Sequence, residues 1–446
     1  MTWLLVPQSA TATEAELWVG ALSPSDPTAA PSLTVGGRLI ALGPFARWSN
    51  GGTATVHWQR VTVGQLAGGK RYGARLSVGG SEVARATVST LPARATLERP
   101  VTVLLASCFA QRSDRAGRVG HAYRQLPTKP DFKLLCGDQV YLDSPWWAYA
   151  RRHAEPELYE RLFEHYRETW TQRTAGGLGG FQALLADGSN WFAPDDHELW
   201  NNAPQGASFV RDTWTQNGRD AWLAGARGLY DVFQAKRVAA SRVQRIDVGT
   251  LSFFIADTRM DRDRKRKGFM SSFDLQQLEG WLGTAGPPGV LVLGQPLFAE
   301  PAGSLSGRVG DWHLQNFEPQ WSQLVNALAS AKRSIVMLTG DVHFGRIARA
   351  TMPSGVGLIE VIASPLSLVE SPLPTRSKQK APRTFGTSPK VAIETIEESL
   401  IDCDHFALLS FAQIGGTLRV SVDPWQIREL EAPRRLFSQP WSFDLQ

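Results

Sequence analysis

Five short polar clusters carry most of the residues in this chain that could hold a metal or move a proton. They are Ser107-Cys108, Gly137-Asp138-Gln139-Val140-Tyr141, Asp195-Asp196-His197-Glu198, Asp257-Thr258-Arg259 and Gly340-Asp341-Val342-His343. Each lies just beyond a predicted strand end, where α/β folds place ligand sites. The residue types fit a two-metal centre. Two cations about 3.5–4 Å apart need one carboxylate between them, with O, N or S donors closing each side. Asp138 is the natural bridge, because Gly137 lets the backbone turn sharply out of a strand. Asp341 and His343 alternate along one extended segment, so both face one pocket only if regular strand geometry breaks there. A Cys108 thiolate and a Tyr141 phenolate favour a trivalent Lewis-acidic ion such as iron. Oxygen-rich positions suit calcium, magnesium or manganese.

Packing accounts for several neighbours more simply. Cys136 follows Leu134 and Leu135 and reads as a small buried hydrophobe, as does Cys403. One of Asp195 and Asp196 is expected to cap a turn, leaving Asp196 as the ligand. Asn201 and Asn202 lie near the Asp195–Glu198 cluster, and Asp257 and Arg259 read either as a structural ion pair or as substrate contacts. From Arg259 to Lys267, six basic residues stand against Asp261 and Asp263. A solvated loop is the plain reading of that run, and a rim that steers phosphate is the sharper one.

Three other motifs fail on inspection. Gly64-x4-Gly69-Lys70 imitates a P-loop, but Arg71 replaces Ser or Thr and a strand follows where a helix must carry the phosphate. No Gly-x-Ser-x-Gly elbow occurs. His197-Glu198 lacks the second His of a helical zinc-protease motif.

The elements that must position these clusters change character along the chain. Residues 1–98 alternate apolar and polar positions between Gly, Pro, Asn and Ser turns, which predicts an all-β sandwich. The opening 1–20 reads as one strand. Tyr72, just after the Leu66-Ala67-Gly68-Gly69 turn, gives this part a fibronectin or immunoglobulin-like cast. The stretch from Leu91 to Pro100 reads as a linker. From residue 99 to 446, strands expected at 101–106, 132–136, 251–256, 290–293 and 335–338 alternate with helical patterns at 155–173 and 273–282, an α/β arrangement. The Gly176-Gly177-x-Gly179-Gly180 stretch reads as a flexible connection near the cleft.

Bulk properties narrow the function classes. The 446 residues exceed one ordinary core, so two domains are expected. A net charge of +5 suits an anionic substrate but is weak evidence for nucleic-acid binding beyond a phosphodiester substrate. No segment approaches the roughly 20 apolar residues of a membrane span. Three cysteines make no disulfide framework. A cytoplasmic protein is the expectation from the sequence as it stands, and a periplasmic or secreted one if a leader precedes it.

The five clusters, in this order, resemble the PhoD-like family of alkaline phosphatases and phosphodiesterases, within the calcineurin-like metallophosphoesterases. The resemblance spans nearly the whole chain, including the N-terminal β-rich part. Gly294-Gln295 and Asp311-Trp312 also stand where that family has similar residues, whereas Pro194 replaces a usual aromatic. It implies an α/β metallophosphoesterase with two facing mixed sheets flanked by helices. It also implies hydrolysis of phosphate mono- and diesters by a metal-bound hydroxide at an iron and calcium site, with manganese, magnesium and zinc still open. By the same resemblance, Cys108, Tyr141, Asp341 and His343 are metal ligands, Asp138 is the bridge, Asp196 binds the second metal and His197 is the catalytic histidine. Arg259 is carried as a catalytic and substrate-binding residue, with Asn201 and Asp257 also on the substrate. Two rivals stand beside this reading: a partner-binding protein on a retained phosphatase scaffold, and an iron redox protein using Cys108, Tyr141 and His343.

Overall fold

Continuous apolar runs are what a strand covered on both faces requires. In the computed structural model Val101–Ala106 and Phe132–Cys136 are such strands, both inside one sheet. The structure describes all residues except 24, 28, 51–52, 174–178, 236–240, 304–310, 368–379, 387 and 428–431. Gly176 and Gly177 of the expected flexible connection lie outside the described residues.

Two mixed sheets dominate the chain after residue 100. The seven-stranded one runs Ser189–Ala193, Phe132–Cys136, Val101–Ala106, His405–Ile414 and Thr417–Gln426, with Arg434–Arg435 and Trp441–Leu445 both paired to the last. The eight-stranded one runs Gln244–Val248, Leu251–Ile255, Gly289–Val292, Ile335–Thr339, Gly357–Ile362, Arg346–Thr351, Val391–Thr395 and Thr384–Phe385. Within them Ser189–Ala193, Phe132–Cys136 and Val101–Ala106 are mutually parallel, and so are the four strands from Leu251–Ile255 to Gly357–Ile362.

Side-chain alternation then sorts the cores. Val103, Leu105, Phe132 and Leu134 share one cluster with Phe253, Ile255, Val290 and Val292 of the other sheet. Phe253 sits edge-on to both Phe132 and Phe411, with ring centroids 5.3 Å apart in each pair. The opposite faces meet helices. Leu104 and Leu135 pack with residues of Glu155–Trp170 and Gln216–Phe233, and Phe254 and Leu291 with residues of Ser272–Gly283 and Gln320–Ala329.

Residues 2–89 form two further four-stranded antiparallel sheets. The single strand expected over 1–20 is in fact a hairpin, Thr2–Ala10 paired with Ala15–Leu22. Thr11 makes its turn, its Oγ1 accepting from the backbone N–H groups of Thr13 and Glu14. Such a local bond is what lets Thr break a strand, and no apolar gap announces it. Tyr72 reaches back over its turn, accepting from Ala67 N at 2.7 Å.

The stretch read as a linker is anchored on both sides. Leu91 N donates to Thr11 O, Gln413 N donates to Ala95 O, and Arg99 pairs with the buried Asp131. The first hairpin also packs on the later part of the chain. Asn190 Nδ2 donates to Pro7 O, and the buried Trp18 lies 5.3 Å from Phe233. Trp18→Ala is therefore expected to lower stability by about 3–5 kcal/mol, read by chemical denaturation. A loss under about 1 kcal/mol would show that the hairpin and the helix ending at Phe233 fold without each other. Among the described residues, no helix is long and apolar enough to cross a membrane.

Candidate metal centre

The polar clusters gather at the carboxyl ends of the parallel strands of both sheets. Gly137 N donates to Ala193 O and Cys108 N to Gly137 O, knitting three strand ends of the seven-stranded sheet. Gly340 N donates to Gly294 O in the other sheet, and Leu366 N to Ser107 O joins the two. Two glycines permit this closeness. A Cβ on Gly137 would lie 2.6 Å from Asp195 Cβ, and one on Gly340 would lie 2.3 Å from Cys136 O.

The backbone is strained where the donors sit. Cys108, Asp138, Asp341 and His343 adopt φ of 57°, 59°, 70° and 58°, a left-handed conformation unusual for any residue but glycine. Each such position costs on the order of 1–3 kcal/mol and persists only where its surroundings enforce it. For Asp138 the enforcing group is the buried Glu198, which accepts from Asp138 N at 2.8 Å, Gln139 N at 2.6 Å and Asp195 N at 2.9 Å. The left-handed turns at Asp341 and His343 are the break in strand geometry that their alternation demanded.

Three groups of donors result, each with its ligand atoms within 4.8 Å of one another: Cys108, Asp138 and His343; Asp138, Asp196 and His197; and Asp138, Asp195, Asp196 and Asp341. Asp138 belongs to all three. Cys108 Sγ lies 3.5 Å from Asp138 Oδ2, and Tyr141 Oη lies 3.5 Å from His343 Nε2. Asp138 is thus shared by a donor group with sulfur and imidazole, beside which the Tyr141 phenol stands, and by a group made of carboxylates alone. Asp195 caps its turn, and its Oδ1 accepts from Arg259 Nε at 2.6 Å. Its buried Oδ2 has no hydrogen-bond partner among the described residues.

Electrostatics point the same way. Burial pushes Asp138 well above the usual carboxylate range, with Asp196 and Asp195 adding to the rise against His197. Burial and the Asp195 and Asp196 charges do the same to Asp341. Burial carries Asp196 to about 6 and Glu198 to about 7. The Cys108 thiol and Tyr141 phenol are pushed up by burial and by neighbouring anions. His343 is lowered to about 4 by burial, so it is neutral and able to donate a lone pair. Buried carboxylates this close are unfavourable unless cations or protons offset them.

A pH dependence follows. Acids with raised values make the folded metal-free protein bind more protons than the unfolded chain, so its stability falls as pH rises through about 4 to 7. A bound cation expels those protons. The gain in Tm on adding metal should therefore be larger at about pH 8 than at about pH 5, and an equal gain at both would contradict this charge arrangement.

His197 lies partly exposed at the edge of the cluster, its ring 4.1 Å from that of Tyr141. Burial disfavours its charged form, but Asp143, Asp196 and Asp138 outweigh that and hold it well above the usual histidine range. Asp143 accepts from His197 Nδ1 at 2.7 Å and from Asn201 N at 2.8 Å. Asn201 therefore reaches the site through its backbone, and its side chain is exposed. Asn202 N donates to Asp196 Oδ2 at 2.6 Å.

Arg259 differs from the ion pair its neighbour Asp257 offered. Its fully buried guanidinium binds Asp195 through Nε and both oxygens of Asp311 through its terminal nitrogens at 2.9 Å. Asp257 instead accepts from the backbone N–H groups of Arg259 and Met260 and stands 3.9 Å from Arg242. The basic run is only partly a solvated loop: Arg262 is buried and donates to Gln295 Oε1, while Arg264 and Lys265 line a cavity of about 670 Å³ with Arg219 and Arg227.

Other groups at the site escaped notice in the sequence. Asp143 is five residues past Asp138, and that proximity was the available signal. Ser364 Oγ, 3.2 Å from Cys108 Sγ and 3.1 Å from His343 N, had none. Gln295 and Asp311, both within the family resemblance, belong here too: Gln295 Nε2 bridges Asp341 and Asp311.

Set beside solved structures, the chain overlays "Structure of PhoD" with a TM-score of 0.63 at 16% identity, covering 98% of this chain and 92% of that one. The fold is that of PhoD. A Paenibacillus cycloisomaltooligosaccharide glucanotransferase overlays with a TM-score of only 0.17 at 9% identity, over 99% of this chain and 69% of that one, and carries no argument. No family model and no curated protein matches the sequence. The likeness to PhoD shows the fold, and the chemistry must be argued from the residues gathered at the strand ends.

Proposed function

We propose that the protein is a metal-dependent phosphoesterase acting on small phosphate mono- or diesters. The observation that carries this reading is Asp138, the one carboxylate shared by a sulfur- and nitrogen-containing group and a carboxylate group at the strand ends of a PhoD-like fold. The donors fit cations: among the described residues the buried Asp195 Oδ2 has no hydrogen-bond partner, and four carboxylates converge, with Arg259 paired to one of them. Cys108, Tyr141 and His343 would hold one ion, with iron matching the thiolate and phenolate. Asp196, Asp341 and Asp195 would hold the other, with calcium or another hard divalent ion matching the oxygens. Bound there, such ions supply Lewis acidity toward the phosphoryl oxygens and a lowered pKa for water.

The chain's own groups do the rest. Asp143 fixes the Nδ1 proton of His197, which leaves Nε2 to give a proton to the departing ester oxygen. Against burial, the Asp143 carboxylate, which is not among the metal donors, favours the protonated imidazole for that task. Arg259 acts by positioning: it holds Asp195 and Asp311 in place and touches no solvent. Asn201 and Asp257 are assigned to the substrate side on the same footing as the sequence motifs. Residues 1–98 are assigned as a fibronectin-like sandwich and 99–446 as the metallophosphoesterase unit. That division is supported by the two antiparallel sheets within 2–89 and by the Tyr72 hydroxyl bond across its turn.

The test is to strip metals, restore iron with calcium, manganese or zinc, and assay aryl phosphate monoesters and diesters from acid to alkaline pH. Hydrolysis that returns with metal supports the reading. Metal-replete protein inactive on both ester classes contradicts it, and a colour change on reduction without hydrolysis would favour a redox role.

A further inference from the structure

Exposed large apolar side chains are few among the described residues, and most of the aromatic ones stand together. Trp146, Trp147, Phe209 and Trp214 are 52%, 64%, 64% and 52% exposed, whereas Phe273 lies apart on another helix. Trp146 lies 5.1 Å from Phe209 and 5.9 Å from Trp147. Trp214 is turned into the same loop as Phe209, its Nε1 donating to Ala207 O at 2.9 Å. Keeping tryptophans this open to water is unfavourable, so such a patch marks a contact surface.

Its place identifies the contact. Trp146 is three residues beyond Asp143, so its Cα lies within about 11 Å of the Asp143 Cα. Asp143 accepts from both His197 Nδ1 and Asn201 N. The two segments that bear the aromatics are therefore the two that Asp143 ties to His197. They meet again where Trp146 touches Phe209. Trp146, and with it the Phe209 ring that it touches, is thereby held near the His197 edge of the site, on the side of the chain that the organic substituent of a phosphate ester would have to share. Every exposed large apolar side chain of the patch is an aromatic ring, which suits a flat π-face better than a flexible acyl chain. Arg211, 5.2 Å from the Trp214 ring centroid, adds a cation beside it for an anionic ester.

We infer that Trp146, Trp147, Phe209 and Trp214 form a subsite that stacks on a planar aromatic group, of nucleobase type, carried by the phosphate ester. The inference rests on the phosphoesterase reading for its orientation, and its test separates the two. Binding of adenosine 5′-monophosphate and of glycerol phosphate is measured by calorimetry on the metal-replete protein. Turnover of a nucleoside and an alkyl phosphodiester is measured in parallel. The wild type should bind the nucleotide at least about tenfold more tightly. The double variant Trp146→Ala, Phe209→Ala should lose that preference while glycerol phosphate binding stays unchanged. Trp146→Phe should keep most of it, and Phe273→Ala all of it. A nucleotide preference without turnover of either diester would sustain the subsite and sink the phosphoesterase reading. Turnover with no nucleotide preference, or a preference that survives the double variant, would overturn the subsite. So would a preference unchanged in a double variant that instead splits a dimer, since the patch would then join copies of the chain.

Discussion

Asp138→Asn is expected to strip both cations from the protein and to lower kcat/KM on phosphate esters by at least about 10³-fold. The same change should leave the metal-free protein melting no lower than metal-free wild type. The two outcomes have one cause. Asp138 is shared by all three donor groups, so neutralising it removes an anionic oxygen from each side of the centre. In the metal-free state that charge is a burden, because burial and the Asp196 and Asp195 carboxylates disfavour it. Asparagine keeps an oxygen for the His197 N–H group, which donates to Asp138 Oδ1 at 3.2 Å, so the turn need not open. Inductively coupled plasma analysis, steady-state kinetics and thermal melts read the three effects. Retained metal, or a metal-free variant that melts several degrees lower, would mean that Asp138 is a structural residue.

The second large effect comes from comparing two cysteines. Cys108 and Cys136 are both fully buried at strand ends, and packing alone treats them alike. Removing a sulfur from either leaves a small cavity, worth roughly 1 kcal/mol. Cys136 contacts a core of apolar residues, and burial alone pushes its thiol above the usual range. Cys108 faces Asp138, the Asp341 carbonyl and Ser364 Oγ instead. As a metal ligand this thiol would lose its proton to a cation, which a packing residue has no need to do. Cys108→Ala should abolish iron binding and activity and bleach any visible thiolate or phenolate band. Cys136→Ala should shift Tm by a few degrees at most and leave turnover intact. Equal metal content and equal activity in the two variants would remove Cys108 from the centre.

Much of this site was legible in the sequence because its parts are local. An apolar run followed by Gly-Asp-x-x-Tyr or Gly-Asp-x-His states a strand, a turn and a set of donors within a few residues. Val101–Ala106 and Phe132–Cys136 fall where their apolar runs place them. The strand Ser189–Ala193, which delivers Asp195 and Asp196, mixes Ser, Asn and Trp and has no such run. What sequence could not show is partnership across long separations. Ser364 meets Cys108 across 256 residues, and the fold alone brings them together. For Arg259, closeness in sequence pointed to Asp257, yet its guanidinium finds Asp195 and Asp311. The hairpin His405–Ile414 and Thr417–Gln426 enters the middle of its sheet beside Val101–Ala106, a pairing set by tertiary packing and not by any local pattern.

The central claim is that one carboxylate, Asp138, stands between two cations of different character. Anomalous diffraction from crystals of the metal-replete protein, collected at the absorption edges of the metals it contains, addresses it directly. Two peaks about 3.5–4 Å apart are expected on either side of Asp138. One should lie within bonding distance of Cys108 Sγ and the other among the oxygens of Asp195, Asp196 and Asp341. A single peak remote from Asp138, or active crystals with no metal beside it, would contradict the account.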